Sequence, residues 1–175
     1  MKDLLKKISE KFDEEADKIK NHIITKEEYT SDFFDALPTF TSIGTRPKKM
    51  RGQKGIYVFI ITKPIKLDHK IISAWNDVKG AGFKSYKQPS LVVGDCLYLG
   101  SSDSLYSRMT EHFSDNGGAA SLKLSHSKRK IALDSVCVYS FALKKDYVPY
   151  SPMIITQIEK RLHNSMLPKA GSSKV

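Results

Sequence analysis

Two short apolar runs, each carrying one tyrosine and one glycine, constrain the fold of this 175-residue chain most strongly. The first run, GIYVFII, begins at Gly55 and has Tyr57 at its third position; the second, DCLYLG, has Tyr98 two residues before Gly100. β-Branched and aromatic residues favour strands that lie half or fully buried in a sheet. The runs therefore predict two strands, and the two tyrosines can converge on one site if these strands are neighbours.

A helix with two polar residues on one face is predicted directly after the second run. Asp103 is a suitable N-cap for a helix that continues to about Phe113. Arg108 and His112 lie four positions apart, so their side chains share a face of this helix. Arginine carries a permanent charge and a fork of donors that matches phosphate oxygens, although a surface ion pair with Glu111 or Asp103 is the simpler role.

A third strand and a final helix follow later in the chain. SVCVYSFAL, residues 135–143, alternates as a strand does, and prolines bracket a helix over about residues 152–166. Glu159 lies in this helix close to Ile155 and Ile158 on an otherwise apolar face, where a carboxylate is costly unless it has a partner. Glu159 is therefore a candidate metal ligand, whereas most helical glutamates are simply solvated.

The chain divides into residues 1–50 and residues 51–175. Apolar residues at spacings of three and four predict an amphipathic helix over residues 2–24, followed by an irregular arm over residues 25–54. In the second part, an insertion at about 63–95 separates the two tyrosine runs, with a short helix predicted at 70–78 and an additional strand at 90–93. A further short helix is predicted over residues 119–130.

The net charge of +10 lies entirely in the second part of the chain. Residues 1–50 hold ten basic and ten acidic residues, whereas residues 51–175 hold nineteen basic and nine acidic residues. A basic body suits a polyanion such as a nucleic acid, although many basic proteins are merely soluble. Seven cations are the candidate nucleic-acid contacts: Lys48, Lys49, Arg51, Lys54, Lys128, Arg129 and Lys130.

The composition argues against membrane insertion and export. No stretch approaches the roughly 20 apolar residues that a membrane span needs, and the first twenty residues contain acids throughout and lack the apolar core of a secretory signal. Cys96 and Cys137 have no metal-type spacing and are predicted to be buried thiols. These features predict a cytoplasmic protein.

Taken together, Gly55-Ile56-Tyr57, Tyr98-Leu99-Gly100, Arg108, His112 and Glu159 resemble the motifs of the GIY-YIG nuclease superfamily, with Leu99 in place of the usual isoleucine. The resemblance covers about residues 54–169. It implies an α/β domain of the α+β kind, with a small, mainly antiparallel three-stranded central sheet flanked by helices. In the compact members of the family the two tripeptides are joined by a hairpin of about ten residues, so the insertion at 63–95 is a departure and a candidate for substrate selection.

The resemblance also implies an activity, which is metal-dependent hydrolysis of DNA phosphodiester bonds, with RNA not excluded as a substrate. Tyr57 would act on the attacking water with help from Tyr98, and Arg108 would hold the phosphate. His112, whose usual pKa is near neutrality, would orient water or phosphate or shuttle a proton. Glu159 would bind Mg²⁺ or Mn²⁺. A homodimer is expected if both strands are cut.

Three interpretations stay open at this point. A restriction-type endonuclease and a repair or mobile-element nuclease both fit the resemblance. A catalytically inactive nucleic-acid-binding module fits the replacement of the family's usual C-terminal asparagine by Gly171 or a neighbour. A protein-interaction domain, with the helix over residues 2–24 as its contact surface, is the third.

For Tyr57 and Tyr98 themselves, the alternative to a catalytic role is core packing, which is the ordinary role of tyrosines in strands.

Overall fold

The computed structural model describes residues 33–83 and 90–171, and the predicted helix over residues 2–24 lies outside them. The described chain is an α+β domain. Its strands are β1 (Phe34–Phe40), β2 (Gly55–Ile61), β3 (Ile65–Lys66), β4 (Ser90–Leu91), β5 (Cys96–Ser102) and β6 (Val136–Leu143). Its α-helices are α1 (His69–Asn76), α2 (Leu105–Phe113) and α3 (Ser151–Met166). The predicted strands and helices around both tyrosine runs, the insertion and Glu159 are thereby confirmed.

The central sheet is antiparallel and has four strands in the order β1-β6-β2-β5, with β3 and β4 forming a separate pair. The prediction of three strands was wrong because β1 lies in the segment that was expected to be irregular. Pro38 and a register shift between Leu37 and Phe40 hide the strand pattern in the sequence. A proline has no N–H to donate, and β1 tolerates it because it is an edge strand.

The two faces of the sheet are covered by different helices. On one face, Tyr57 and Phe59 of β2 pack with Trp75 of α1 and Met109 of α2. On the other face, Ile56 packs against side chains of α3. Since successive residues of a strand point to opposite faces, β2 presents Tyr57 towards α2 and its neighbour Ile56 towards α3.

The segment after α3 returns to the outer edge of β5. Lys169 and Ala170 donate their backbone N–H groups to the carbonyls of Cys96 and Leu97, at N···O distances of 3.0 and 2.7 Å. These bonds cover the first residues of β5. Gly100 lies farther along the same edge strand, at the end where α2 begins.

Three local predictions were corrected. Residues 119–129 form turns instead of a helix, and a 3-10 helix follows at Lys130–Ser135. The N-cap of α2 is Ser104, whereas Asp103 forms an ion pair with Lys54 at 3.0 Å. Cys96 is buried as predicted, but Cys137 is only half-buried. Among the described residues, none of the helices combines the length and apolar character that crossing a membrane requires.

Candidate active site

The hydroxyl of Tyr57 is the centre of a buried polar cluster. Arg108 Nε donates to this oxygen at 3.1 Å, and His112 Nε2 lies 2.9 Å from it. Both partners come from α2, where their spacing of four residues places them on one face, as predicted. The cluster therefore joins the first tyrosine run to the helix that follows the second run.

The backbone determines which nitrogen of His112 carries the proton. The N–H of Leu122 donates to His112 Nδ1 at 3.0 Å, so Nδ1 must be unprotonated. The proton of the neutral ring then lies on Nε2 and is donated to Tyr57. The Tyr57 oxygen thus accepts from both Arg108 and His112, and its own proton points away from both.

Burial keeps the aromatic members of the cluster uncharged. It raises the pKa of Tyr57, an effect to which Tyr98 adds and which Arg108 opposes. Burial also raises the pKa of Tyr98. The pKa of His112 is well below its usual value, first because the ring is buried and then because Arg108 is close. At neutral pH all three side chains are therefore neutral.

Two residues with predicted catalytic roles are buried. His112 is 0% exposed, so in this structure it contacts Tyr57 and does not reach water or phosphate. Its depressed pKa also argues against a proton shuttle near neutrality. Tyr57 is 1% exposed, so its hydroxyl is enclosed by Arg108 and His112 instead of facing bulk water.

Gly100 is required by the packing of both tyrosines. A Cβ atom built at Gly100 would lie 2.7 Å from the Tyr57 hydroxyl and 3.0 Å from Cε1 of Tyr98. Tyr57 and Gly100 are direct cross-strand partners, and the two tyrosine rings stack at a centroid distance of 6.2 Å. The Tyr98 hydroxyl donates to the carbonyl of Ala120 at 2.9 Å. The glycine of the second run thus leaves the space in which the Tyr57 hydroxyl lies.

Arg108 is the charged and partly exposed member of the cluster. It donates to Tyr57, to the carbonyl of Ala120 at 2.9 Å and to Glu111, its neighbour on α2. These bonds engage Nε, Nη1 and Nη2, and 17% of the Arg108 side chain is exposed, so the guanidinium stays accessible from outside the cluster. Although burial acts to lower it, the pKa of Arg108 is raised because Tyr57 and Glu111 stabilise the charged form.

Glu159 approaches the cluster from the other face of the sheet. Ser101, the residue after Gly100, donates its hydroxyl to Glu159 Oε2 at 2.5 Å, and His163 Nε2 lies 3.8 Å from Oε1. The Glu159 carboxylate adds to the rise in the pKa of both Tyr57 and Tyr98, as the smallest named effect. Four of the predicted residues, Tyr57, Tyr98, Arg108 and His112, therefore form one contact cluster beside Gly100 on the edge strand β5. Glu159 binds the next residue, Ser101, from the opposite face of the sheet.

The surroundings of Glu159 fit a hard divalent cation held by one carboxylate. The side chain is 29% exposed and its Oε2 is oriented by Ser101. Residues 33–83 and 90–171 contain no group of three or more histidine, cysteine or acidic side chains placed to hold a metal. Mg²⁺ retains several waters and is commonly bound by one or two carboxylates together with substrate phosphate. Sequence reasoning missed Ser101, whose only signal was a polar residue directly after the second run.

The predicted nucleic-acid contacts separate into exposed and buried residues. Lys48, Lys49 and Arg51 are exposed; Lys54 and Lys128 pair with Asp103 and Asp77 at 3.0 and 3.5 Å. For Lys130 the structure gives the backbone only. Arg129 is 0% exposed and donates all its described hydrogen bonds to backbone carbonyls, so the prediction that it contacts nucleic acid was wrong.

Arg51 belongs to a second aromatic cluster on α2. The Cζ atoms of Arg46 and Arg51 lie 3.3 and 4.8 Å from the centre of the Tyr106 ring. Hydrogen bonds from Arg51 and Arg46 lower the pKa of Tyr106. These contacts fix the basic arm, residues 46–54, against the helix that carries Arg108 and His112.

Comparison with known proteins adds no family assignment, because no protein-family model, no curated protein and no solved structure matches this chain.

Proposed function

We propose that this protein is a metal-dependent endonuclease that hydrolyses phosphodiester bonds in DNA, with RNA as a second candidate substrate. The observation that supports this most is that Tyr57, Tyr98, Arg108 and His112 form one cluster beside Gly100, while Glu159 binds the neighbouring Ser101 from the opposite face of the sheet. These residues lie far apart in the sequence and come from both faces of the sheet. Packing alone does not require an arginine, a buried histidine and a carboxylate at the same point of an edge strand.

Each residue has a role that its surroundings allow. Arg108 is partly exposed and could bind a phosphate oxygen, and its charge is retained at any physiological pH. Tyr57, itself bound by His112, accepts from Arg108 Nε and so orients the guanidinium. We assign Tyr57 contact with the attacking water only in the substrate complex. Apo geometry of catalytic groups often becomes productive only when substrate binds.

Glu159 would hold Mg²⁺ or Mn²⁺, with Ser101 orienting its carboxylate. When bound, such a cation supplies Lewis-acid stabilisation of the charge on the phosphorus and on the departing oxygen. Ser101 restricts the rotation of the carboxylate, so one oxygen is directed by the protein while the other faces His163.

The basic arm supports a polyanionic substrate. Lys48, Lys49 and Arg51 are exposed, and Tyr106 links the arm to α2. Phosphate contacts by such residues give affinity without sequence preference, which matches an endonuclease that must hold the backbone on either side of the cut.

Cleavage of supercoiled plasmid by the purified full-length protein tests the proposal. Wild type, Glu159→Gln and the matched control Asp146→Asn are incubated with Mg²⁺, with Mn²⁺ or with EDTA. Asp146 is an exposed carboxylate that is not among the candidate site residues. We expect metal-dependent nicking or linearisation by wild type and by the control, and its loss in Glu159→Gln. Direct linearisation would further indicate paired active sites in a dimer.

The alternative of a catalytically inactive nucleic-acid-binding module predicts DNA binding without cleavage. A gel-shift measurement in EDTA reports affinity without cleavage for all three proteins. If wild type and Glu159→Gln bind DNA equally and neither cuts plasmid, single-stranded DNA or RNA with either metal, the endonuclease proposal is refuted in favour of a binding module.

A further inference from the structure

The turn over residues 117–122, here called the organising turn, supplies backbone groups to three of the candidate residues. The carbonyl of Ala120 accepts from Tyr98 Oη and from Arg108 Nη2, each at 2.9 Å. The N–H of Leu122 donates to His112 Nδ1 at 3.0 Å. Because Arg108 and His112 in turn bind the Tyr57 hydroxyl, the position of this turn sets the geometry of the whole cluster.

The buried Arg129 side chain binds the carbonyls of the organising turn. Arg129 Nη1 donates to the carbonyl of Leu122 at 2.8 Å and approaches that of Ser121 at 3.5 Å. The backbone N–H of Ala81 donates to the same Ser121 carbonyl at 2.9 Å. The turn is therefore held by Arg129 and by Ala81, which belongs to the insertion at 63–95.

The opposite edge of the same guanidinium binds the insertion. Arg129 Nε and Nη2 donate to the carbonyl of Trp75 at 3.2 and 2.9 Å, and Nη2 also donates to Val78 at 2.7 Å. The guanidinium carbon lies 5.1 Å from the centre of the Trp75 ring. Trp75 donates its indole N–H to the carbonyl of Ala81 at 3.1 Å. Arg129 thus joins the end of α1 to the organising turn.

Only an arginine can satisfy this arrangement of carbonyls. Its planar fork presents five donors in fixed directions, whereas a lysine ammonium is a single point with three. Burial lowers the pKa of Arg129 to about 10, so it is still charged at neutral pH. A Cβ atom at Gly80 would lie 2.7 Å from the Ser121 carbonyl and 2.8 Å from Arg129 Nη1, so this glycine allows the insertion to approach.

We propose that Arg129 is a positioning residue that couples the insertion at 63–95 to the candidate active site. It holds the organising turn against α1, and the turn then fixes Arg108 and His112 through Ala120 and Leu122. The catalytic consequence rests on the proposed nuclease function, whereas the coupling itself is a property of the fold. The insertion is in this view a support for the site as well as an added surface.

The test uses a signal from His112 that does not depend on activity. Long-range ¹H–¹⁵N spectra of the histidine rings report which nitrogen carries the proton and whether Nδ1 accepts a hydrogen bond. The full-length wild type is compared with Arg129→Lys, Trp75→Phe and the control Lys145→Met, which removes an exposed cation elsewhere. The His112 signal is identified by its disappearance in His112→Gln.

We expect Nε2-protonated His112 in wild type and in Lys145→Met. In Arg129→Lys the Nδ1 signal should move towards that of an imidazole without a backbone donor. Trp75→Phe, which removes the indole donor and reduces the ring that lies against the Arg129 guanidinium, should move it in the same direction by less. The plasmid-cleavage kcat of Arg129→Lys should fall about 10- to 100-fold with KM within about twofold, because a misplacement of about 1 Å costs on this order.

A folded Arg129→Lys protein with the wild-type His112 signal overturns the proposal. If Arg129→Lys does not fold, as judged by circular dichroism, Trp75→Phe decides instead, and an unchanged His112 signal in that variant overturns it. If wild type itself cleaves nothing, the nuclease function fails, while the His112 spectra still decide the coupling.

Discussion

Replacing Tyr57 with phenylalanine removes one oxygen and leaves two donors without an acceptor. His112 Nε2–H is wholly buried, and Arg108 Nε–H belongs to a side chain that is 17% exposed. The aromatic ring, with its stacking on Tyr98, is retained in the variant. The change therefore isolates the hydrogen bonds of the cluster from its packing.

The expected loss follows from burial. An unsatisfied buried donor costs about 1–3 kcal/mol; His112 bears this cost in full, while Arg108 recovers part of it from water. We expect Tyr57→Phe to lower the free energy of unfolding by about 2–3 kcal/mol. Tyr98→Phe is the matched control, because the carbonyl of Ala120, to which the Tyr98 hydroxyl donates, keeps Arg108 as a donor; about 0.5–1.5 kcal/mol is expected.

Urea unfolding followed by circular dichroism measures both changes. The midpoint should decrease with the m-value unchanged, so that the difference reflects stability and not a change in the unfolded chain. If Tyr57→Phe is no less stable than Tyr98→Phe, the Tyr57 oxygen is not the shared acceptor of the cluster, and the reasoning from its two donors is refuted.

Three further predictions concern the edge strand, the buried histidine and the basic arm. Gly100→Ala should lower the free energy of unfolding by about 1–3 kcal/mol, since its Cβ would lie 2.7 Å from the Tyr57 hydroxyl; an unfolding midpoint equal to wild type would contradict this steric argument. The folded-state pKa of His112 is depressed, so below the unfolded-state value of about 6.5 the unfolded chain binds a proton that the folded protein does not. As the pH decreases from about 6.5, wild type should therefore lose about 1.4 kcal/mol per pH unit more stability than His112→Gln in urea titrations, and parallel pH profiles would refute it. Lys49→Ala should reduce the slope of log affinity for duplex DNA against log salt concentration by about one, measured by fluorescence anisotropy in EDTA; exposed Lys145→Ala is the control, and equal slopes for the two variants would remove Lys49 from the DNA interface.

The sequence predicted the elements whose patterns are local. The β-branched runs at Gly55 and Cys96, the i,i+4 pair of Arg108 and His112 and the proline-bracketed helix around Glu159 all form as expected. Each signal reflects the 2-residue or 3.6-residue period of one element, which neighbouring residues alone specify. For the same reason β1 was missed, because Pro38 and the register shift interrupt its period and pairing with β6 supplies what the pattern lacks.

The tertiary structure alone decided what these residues do to one another. Exposure and hydrogen-bond partners cannot be read from a residue's type, so Arg129 looked like a phosphate contact in the sequence although it is buried and donates to carbonyls of Trp75, Val78 and Leu122. Likewise, His112 has a near-neutral pKa as an isolated residue, and burial beside Arg108 depresses it. The sequence by itself determined which groups are present and on which helix or strand they lie. The packing of α2 and α3 on opposite faces of the sheet determined that they lie beside Gly100 and Ser101, because contacts between distant segments leave no periodic trace in the chain.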